Sequence, residues 1–317
     1  MLSTPAYSIA AAMTLGYKRD IVSETRQDFA DAGVSHLLAV SGLHIGFIYA
    51  ALHFLCIHST RSRWRRLLQF LLILAGLWSY VVLCGMPASA LRSGLMFTLL
   101  AIANLIRRKA VTLNSLFSAA FILLFWQPFF LFDIGFQLSF SAVLGILLFA
   151  EPLEKLLPQG GRIAEKVKKA VTVSSAAQLG TLPFCLYYFQ QFPLYFPISN
   201  LLAIPMASLL VYGTLILLLV GDLPLVGQLF GQGIEAGFHL LQYGVQTISR
   251  LPSALLQVKD YGIADACLTA LLIACIYSYG QHPKAKKLYR VLACIIFLLS
   301  WGICQDIIRI FPNFACN

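Results

Sequence analysis

Long apolar runs recur from one end of this chain to the other, and they limit its fold more than any other feature. A helix of about 20 apolar residues spans a bilayer and satisfies all of its backbone groups inside lipid. We assign the candidate spans 36–58, 67–84, 89–106, 111–128, 134–150, 170–188, 194–220, 224–248, 263–279 and 290–311. The pattern predicts an all-α fold, a polytopic integral membrane helical bundle of about ten transmembrane spans.

The composition is that of a membrane protein. Of the 317 residues, 59% are hydrophobic and 11% are charged, whereas soluble domains average about 25% charged residues. No polar stretch is long enough to fold by itself, so we expect one transmembrane domain over residues 36–317, preceded by an outward-facing N-terminal segment, residues 1–35. The longest run contains Pro197 and Pro205, which predicts that some spans are broken or re-entrant.

Basic residues are concentrated in a few loops. Most of the 23 Lys and Arg lie in the stretches 61–66, 107–109, 155–169 and 284–290. The assigned spans place all of these loops on one side of the membrane, and the positive-inside rule makes that side cytoplasmic. Both termini are then expected outside, and topology accounts for most of the net charge of +10. Contact with nucleic-acid phosphates is the alternative role where a pore opens onto the basic face.

No spacing in the chain is typical of a metal or cofactor site. The 8 Cys lie mostly within apolar runs and form no Cys-x-x-Cys pair. The 6 His form no His-x-His or His-Glu-x-x-His motif, and no ATP-binding Gly-x-x-x-x-Gly-Lys loop occurs. We therefore expect no metal and no cofactor, and any motor has to be a separate protein.

The stretch 33–46 opens the first apolar run but reads GVSHLLAVSGLHIG. Histidine, serine and glycine are costly in lipid, so we expect this segment to face protein or water. On a continuous helix His36 and His44 are about 80° apart and share a broad face. Gly42 and Gly46 fall on another face with spacing suited to close helix packing. Hydrogen bonds from the histidines to neighbouring helices are the alternative to a polar lining.

Polar side chains recur at single positions in later runs, at Arg92, Asp133, Gln137, Gln178 and Asn200. Arg92 is either a fixed positive charge in an aqueous path or an arginine extended to the interface. Asp133, which shares a helix face with Gln137, either pairs with Arg92 or caps its own helix. Gln178 and Asn200 precede helix-breaking prolines, where an amide either lines a cavity or bridges a kink.

Catalysis is a hypothesis of a different class. Ser41 with a histidine nearby is compatible with an intramembrane serine hydrolase. Ser41 and His44 are three residues apart, and on one helix this is a poor geometry for a base to reach its nucleophile. We therefore do not expect an enzyme.

Taken together, these stretches resemble the competence domain of the ComEC family, the inner-membrane DNA channel of natural transformation. The resemblance covers about residues 10–220, and its most specific part is the stretch 29–46. Later matching blocks are Arg92-Ser93 with Met96, Pro128 through Asp133-x-Gly135-Phe136-Gln137-Leu138-Ser139, and Gln178-x-Gly180-x-x-Pro183 followed by Asn200 and Pro205.

The resemblance implies a multi-pass inner-membrane channel that passes single-stranded DNA into the cytoplasm. Its expected partners are single-stranded DNA, membrane lipid, a DNA receptor and a cytoplasmic helicase-type motor, with homo-oligomerisation left open. The candidate residues of the DNA path are His36, Ser41, His44, Arg92, Asp133, Gln137, Gln178 and Asn200.

Full-length members of that family add an oligonucleotide-binding-like domain before the membrane domain and a metallo-β-lactamase-like domain after it. We find neither in this sequence, and the His-x-His-x-Asp-His type motif of the latter is missing, so we expect no nuclease activity. The alternative function is a secondary transporter or channel for a small anion, which would use the same Arg92 and broken helices.

Overall fold

The computed structural model describes residues 3–56, 63–108, 111–158, 160–221, 223, 226–281 and 285–310. These residues form twelve α-helices: α1 Thr4–Leu15, α2 Ser23–Asp31, α3 Gly42–Cys56, α4 Arg63–Leu83, α5 Ala88–Leu105, α6 Thr112–Trp126, α7 Ile134–Leu156, α8 Arg162–Phe189, α9 Phe196–Val220, α10 Val226–Ser249, α11 Ile263–Gln281 and α12 Ala285–Ile310. Short 3₁₀ turns lie at Ser35–Leu38 and Pro128–Phe132. A two-stranded antiparallel sheet pairs β1 Gln191–Pro193 with β2 Leu255–Gln257.

The helices α3–α12 coincide with the apolar runs of the sequence, which confirms the predicted all-α membrane fold. Within the described ranges, five helices are long and apolar enough to cross a membrane, namely α4, α5, α7, α9 and α11, and α3 and α6 are shorter apolar helices. The number of spans therefore remains a prediction. The ends of the runs 36–58 and 290–311, part of the run 224–248 and several basic loop residues lie outside the described residues.

The helix α1 is a buried part of the bundle. Its residues Ala12 and Met13 are fully buried, in a core that α9 and α10 complete. The Tyr80 hydroxyl of α4 donates a hydrogen bond to the Thr14 carbonyl over 2.6 Å, and Gly16 ends the helix with a φ of 76°. The sequence analysis did not identify this helix, because its apolar stretch is too short for a span.

The helices α3, α4 and α5 form a three-helix unit with its own core. Ile45, Leu77 and Val81 are fully buried there. The Trp78 indole N–H of α4 donates to the Thr98 hydroxyl of α5 over 3.0 Å. This unit carries the residues of the candidate site, and the burial of its core side chains keeps those residues in place.

The helices α7 and α8 pack backbone against backbone. A Cβ atom on Gly145 would lie 2.5 Å from the Ala176 carbonyl oxygen, and one on Gly180 would contact the Ser141 carbonyl oxygen. Gly145 and Gly180 are 35 positions apart in sequence. The sequence analysis predicted close helix packing only at Gly42 and Gly46, so it missed this contact.

The longest apolar run forms a single helix, α9, rather than a re-entrant segment. Pro197 lies in its first turn, where a missing backbone N–H costs no helical hydrogen bond. Pro205 lies inside the helix. The break occurs instead in the first run, between the 3₁₀ turn Ser35–Leu38 and α3.

Candidate anion-binding site

The chain changes direction before α3, which separates the two histidines of the stretch 33–46. His36 lies in the 3₁₀ turn, Ala39 is extended with φ −121° and ψ 146°, and α3 begins only at Gly42. The expectation that His36 and His44 share a face of one helix was therefore wrong.

Ser41 and His44 cap the N-terminus of α3. The Ser41 hydroxyl oxygen accepts the Leu43 backbone N–H over 3.2 Å, and the His44 Nδ1 atom accepts the Ser41 backbone N–H over 3.1 Å. This is the reciprocal pattern of a capping box, with histidine in place of the usual Glu or Gln. Accepting a backbone N–H requires an unprotonated Nδ1, so the network assigns His44 as a neutral ring.

The distance between the Ser41 Oγ and His44 Nδ1 atoms is 2.9 Å. The expectation of a poor geometry between these groups was wrong, because Ser41 precedes the helix rather than lying within it. Both side chains also hold backbone groups at the start of α3, and this capping role explains their proximity.

Arg92 is buried one turn into α5, with 6% of its surface exposed. It does not extend to the surface. Its Nη2 atom donates to the Ser93 hydroxyl oxygen over 3.1 Å, and its Nε atom is buried without a hydrogen-bond partner in the described part of the chain. Ser93 in turn donates to the Ser89 carbonyl over 2.9 Å, which fixes the acceptor beside the guanidinium.

No carboxylate neutralises Arg92 among the described residues, whose ion pairs involve other side chains. Asp133 follows the second of its two predicted alternatives: it caps α7 by accepting the Phe136 backbone N–H over 2.7 Å. The remaining neighbour is the Phe140 ring of α7, whose centroid lies 5.8 Å from the guanidinium carbon. A cation–π contact of this kind offsets only part of the cost of burying a charge.

Glycine at position 42 allows the start of α3 to approach Arg92 closely. A Cβ atom there would lie 2.6 Å from both the Arg92 Nη2 atom and the Ser93 Oγ atom. One turn later, a Cβ atom on Gly46 would lie 3.2 Å from the Phe97 ring. The structure thus places both glycines against α5.

A helix N-terminus, a buried guanidinium and a hydroxyl group therefore meet at one place. The Leu43 N–H at the start of α3 is already capped by Ser41, so the helix contributes mainly its dipole, which makes this end positive. Arginine presents a fork of donors that matches a phosphate or carboxylate group. Positive groups alone repel one another, so this arrangement is suited to an anion. We call it the Arg92 site: Gly42, Ser89, Arg92, Ser93 and Phe140.

The other predicted path residues are used differently. The Gln137 amide nitrogen donates to the Leu131 carbonyl over 2.8 Å, and its oxygen accepts the Tyr188 hydroxyl over 2.8 Å. Asn200 is buried in α9, and its side-chain oxygen accepts no hydrogen bond from the residues that the structure describes. Gln178 is partly buried in α8. Within the described residues, none of these three side chains hydrogen-bonds to the Arg92 guanidinium, whose side-chain acceptor is the Ser93 hydroxyl oxygen.

Sequence reasoning missed three residues of the Arg92 site as functional candidates. Ser89 donates to the Val40 carbonyl over 2.7 Å and thereby ties α5 to the break before α3. The spacing of Ser89, Arg92 and Ser93 was a usable signal, because residues at i, i+3 and i+4 share a helix face. Nothing in the sequence indicates that Phe140 contacts the guanidinium.

The chain is similar to known proteins over most of its length. A family model described as "Competence protein" matches residues 13–283. ComE operon protein 3 of Bacillus subtilis (strain 168) is 29% identical over 304 residues, covering 94% of this chain and 35% of that protein. An uncharacterized protein of Aquifex aeolicus (strain VF5) is 29% identical over 226 residues, covering 71% of this chain and 51% of that protein.

This chain thus spans about a third and about half of the lengths of these two relatives. No solved structure matches it significantly. The predicted resemblance is confirmed by the family match, which covers the Arg92 site and every helix from α2 to α10. A match of this extent makes the chain a member of the competence protein family.

Proposed function

We propose that this chain is a channel domain of the inner membrane that passes single-stranded DNA into the cytoplasm during natural transformation. Membership in the competence protein family supports a role in competence, and the apolar helices support a location in the membrane. In the proposed orientation both termini lie outside and the basic loops lie in the cytoplasm.

The observation that carries the proposal is the buried, uncompensated guanidinium of Arg92. A DNA strand presents one negative phosphodiester per nucleotide, and contacts to phosphate carry no sequence information. A single arginine with a neutral hydroxyl beside it attracts each phosphate without a cluster of charges that would trap it. Conduction needs this balance between entering a site and leaving it.

Neutral polar groups extend the proposed path beyond Arg92. His36, Gln178 and Asn200 supply polar groups that can hydrogen-bond to any nucleotide, and Ser41 and His44 hold the start of α3 beside Arg92. The free side-chain oxygen of Asn200 offers an acceptor for base amino groups. Both polar groups of the Gln137 amide already have protein partners, so its contribution is to position α7 and α8 beside the path.

The proposal assigns no chemical step to the chain. Degradation of the second strand, DNA capture and the driving force come from partners, of which a DNA receptor and a cytoplasmic helicase-type motor are the proposed ones. The alternative is a transporter of a small anion, favoured by the same observation, because the Arg92 site offers donors for one phosphate or carboxylate group.

Gene deletion with complementation tests the channel. The strain lacking the gene should bind labelled DNA at its surface and fail to protect it from external DNase, and the wild-type gene should restore protection. A strain complemented with Arg92→Gln should bind DNA at its surface but still fail to protect it, whereas Arg63→Gln, which removes an exposed arginine of α4, should restore protection. Full protection with Arg92→Gln at normal protein levels would refute the role of Arg92. Arg92-dependent phosphate flux in proteoliposomes without DNA uptake would favour the small-anion transporter.

A further inference from the structure

A cavity with a partly polar lining lies at the other end of the α3–α4–α5 unit from the Arg92 site. It has a volume of about 190 Å³, and its polar walls come from Tyr49, His53, Arg66, Gln69 and Asn104. On α5 the distance from Arg92 to Asn104 is about 18 Å at 1.5 Å per residue. We call this space the Arg66 cavity, and it is separate from the site to which the proposed function is assigned.

The charge in the Arg66 cavity is uncompensated. The Arg66 Nε atom is buried without a hydrogen-bond partner, and no carboxylate is among the lining residues that the structure describes. The sequence offers none nearby, because no Asp or Glu occurs between Asp31 and Asp133, whereas that stretch contains eight Lys and Arg. Because Arg66 is partly buried and no lining carboxylate among the described residues balances its charge, this cavity is suited to an anion.

The position of Arg66 adds to the positive field. Arg63, Arg65 and Arg66 all lie in the first turn of α4, where the helix dipole already favours negative charge. Arg63 and Arg65 are exposed, whereas Arg66 is partly buried and lines the cavity. The first turn of α4 therefore attracts an anion, and Arg66 supplies the donors that meet it.

The depth of the cavity indicates which anion is available. Helix α4 has 21 residues and is long and apolar enough to cross the membrane, so its first turn lies at the level of the lipid headgroups. Trp64 is 80% exposed beside it, as is typical of side chains at the membrane interface. Leu68, Leu71 and Leu72 follow as exposed apolar side chains on the same helix, where acyl chains would contact them.

We propose that the Arg66 cavity binds the phosphate group of an anionic phospholipid. Arg66 contacts the phosphate, the Gln69 and Asn104 amides add neutral hydrogen bonds, and the acyl chains lie along the exposed leucines of α4. A zwitterionic headgroup would place its cation among three arginines with no lining carboxylate, so selectivity for anionic lipid follows. This inference does not depend on DNA passage.

Native mass spectrometry of the full chain tests the site directly. The protein is extracted from vesicles of phosphatidylglycerol and phosphatidylcholine, and the retained lipid is identified. The wild type should retain phosphatidylglycerol selectively. Arg66→Gln should lower that preference about fivefold, the factor that one basic side chain contributes to binding an anionic membrane. Arg65→Gln is the matched control, because it removes the same charge from the same turn, and it should keep most of the preference.

Three results would overturn the proposal. Equal losses of the phosphatidylglycerol preference in Arg65→Gln and Arg66→Gln would mean that a diffuse surface potential attracts the lipid. An unchanged preference in both variants would mean that the cavity holds no lipid. Displacement of phosphatidylglycerol by a short single-stranded oligonucleotide, dependent on Arg66, would assign the cavity to DNA instead. If Arg66→Gln does not fold, Asn104→Leu provides a second test. It replaces a hydrogen-bonding amide of the cavity with an apolar side chain of similar size and should lower lipid retention in the same assay.

Discussion

Replacing Gly42 by alanine tests the close approach on which the Arg92 site depends. The added Cβ atom would lie 2.6 Å from the Arg92 Nη2 atom and from the Ser93 Oγ atom. Both atoms lie at the ends of side chains, so we expect the side chains to move and the backbone to stay in place. The Ser93 hydroxyl is held by its hydrogen bond to the Ser89 carbonyl, so the displacement falls mainly on the guanidinium and breaks its bond to Ser93.

The expected cost follows from these contacts. Overpacking of this size destabilises a protein by about 1–3 kcal/mol, and a lost hydrogen bond to a charged group is worth about 1.5–3 kcal/mol. The movement of the arginine relieves the overpacking as it breaks the hydrogen bond, so the two costs do not add. We expect a total destabilisation of about 1–3 kcal/mol. A loss of 1.4 kcal/mol at the site alone lowers phosphate binding about tenfold, so protected DNA should fall by about this factor.

Two glycines provide the controls for Gly42→Ala. Gly233 of α10 has nothing within 4 Å of an added Cβ atom, and alanine there should stabilise the helix by about 0.5–1 kcal/mol. Gly46→Ala, 3.2 Å from the Phe97 ring, should cost less than Gly42→Ala and leave DNA uptake intact. Heat-induced aggregation in detergent measures stability, and DNase-protected DNA measures uptake. Equal stability and uptake in Gly42→Ala and Gly233→Ala would refute this account.

Four further perturbations test the site and the helix packing. Arg92→Glu reverses the buried charge and should impair DNA entry while the protein stays at its normal level in the membrane. His44→Leu removes the cap of α3, worth about 1 kcal/mol, and should have the same effect. Transformation at wild-type frequency would remove either residue from the mechanism. Gly145→Ala should cost at least about 2 kcal/mol, because the carbonyl opposing it is backbone and cannot swing away; unchanged heat stability would contradict the α7–α8 contact. Copper–phenanthroline should oxidise Cys275 and Cys294 to a disulfide, since their sulfur atoms are 3.8 Å apart. Mass spectrometry should detect the cross-linked peptides in the wild type and not in Cys275→Ala. Their absence from the wild type would contradict the packing of α11 on α12.

The sequence was sufficient to place the long helices and insufficient to place the break before α3. Apolar length alone locates α6 and α9, because lipid leaves the backbone no alternative to a helix. The break at residues 39–41 depends on a cap in which His44 replaces the Glu or Gln of the usual motif. An apolar run with such a cap is difficult to distinguish from a continuous helix.

The candidate site was predictable for some of its residues and not for their partners. Ser41, Gly42, His44 and Arg92 were recognisable as polar or small groups in apolar runs. Whether Arg92 pairs with Asp133 depends on the relative positions of α5 and α7, which the spacing of residues along the chain does not determine. The contact between Gly145 and Gly180 was missed for the same reason.

The burial of α1 has a consequence for how the protein is made. Its first residue of contact, Ser3, donates its backbone N–H to the Glu235 carboxylate of α10, 232 positions later. At a synthesis rate of about 5–20 residues per second, roughly 12–46 s pass between the appearance of these two partners. During that time α1 has no groove to occupy, since α9 and α10 form it. Helix α1 is therefore translated well before the two helices that bury it, and biogenesis factors have to shield this short apolar helix throughout that interval.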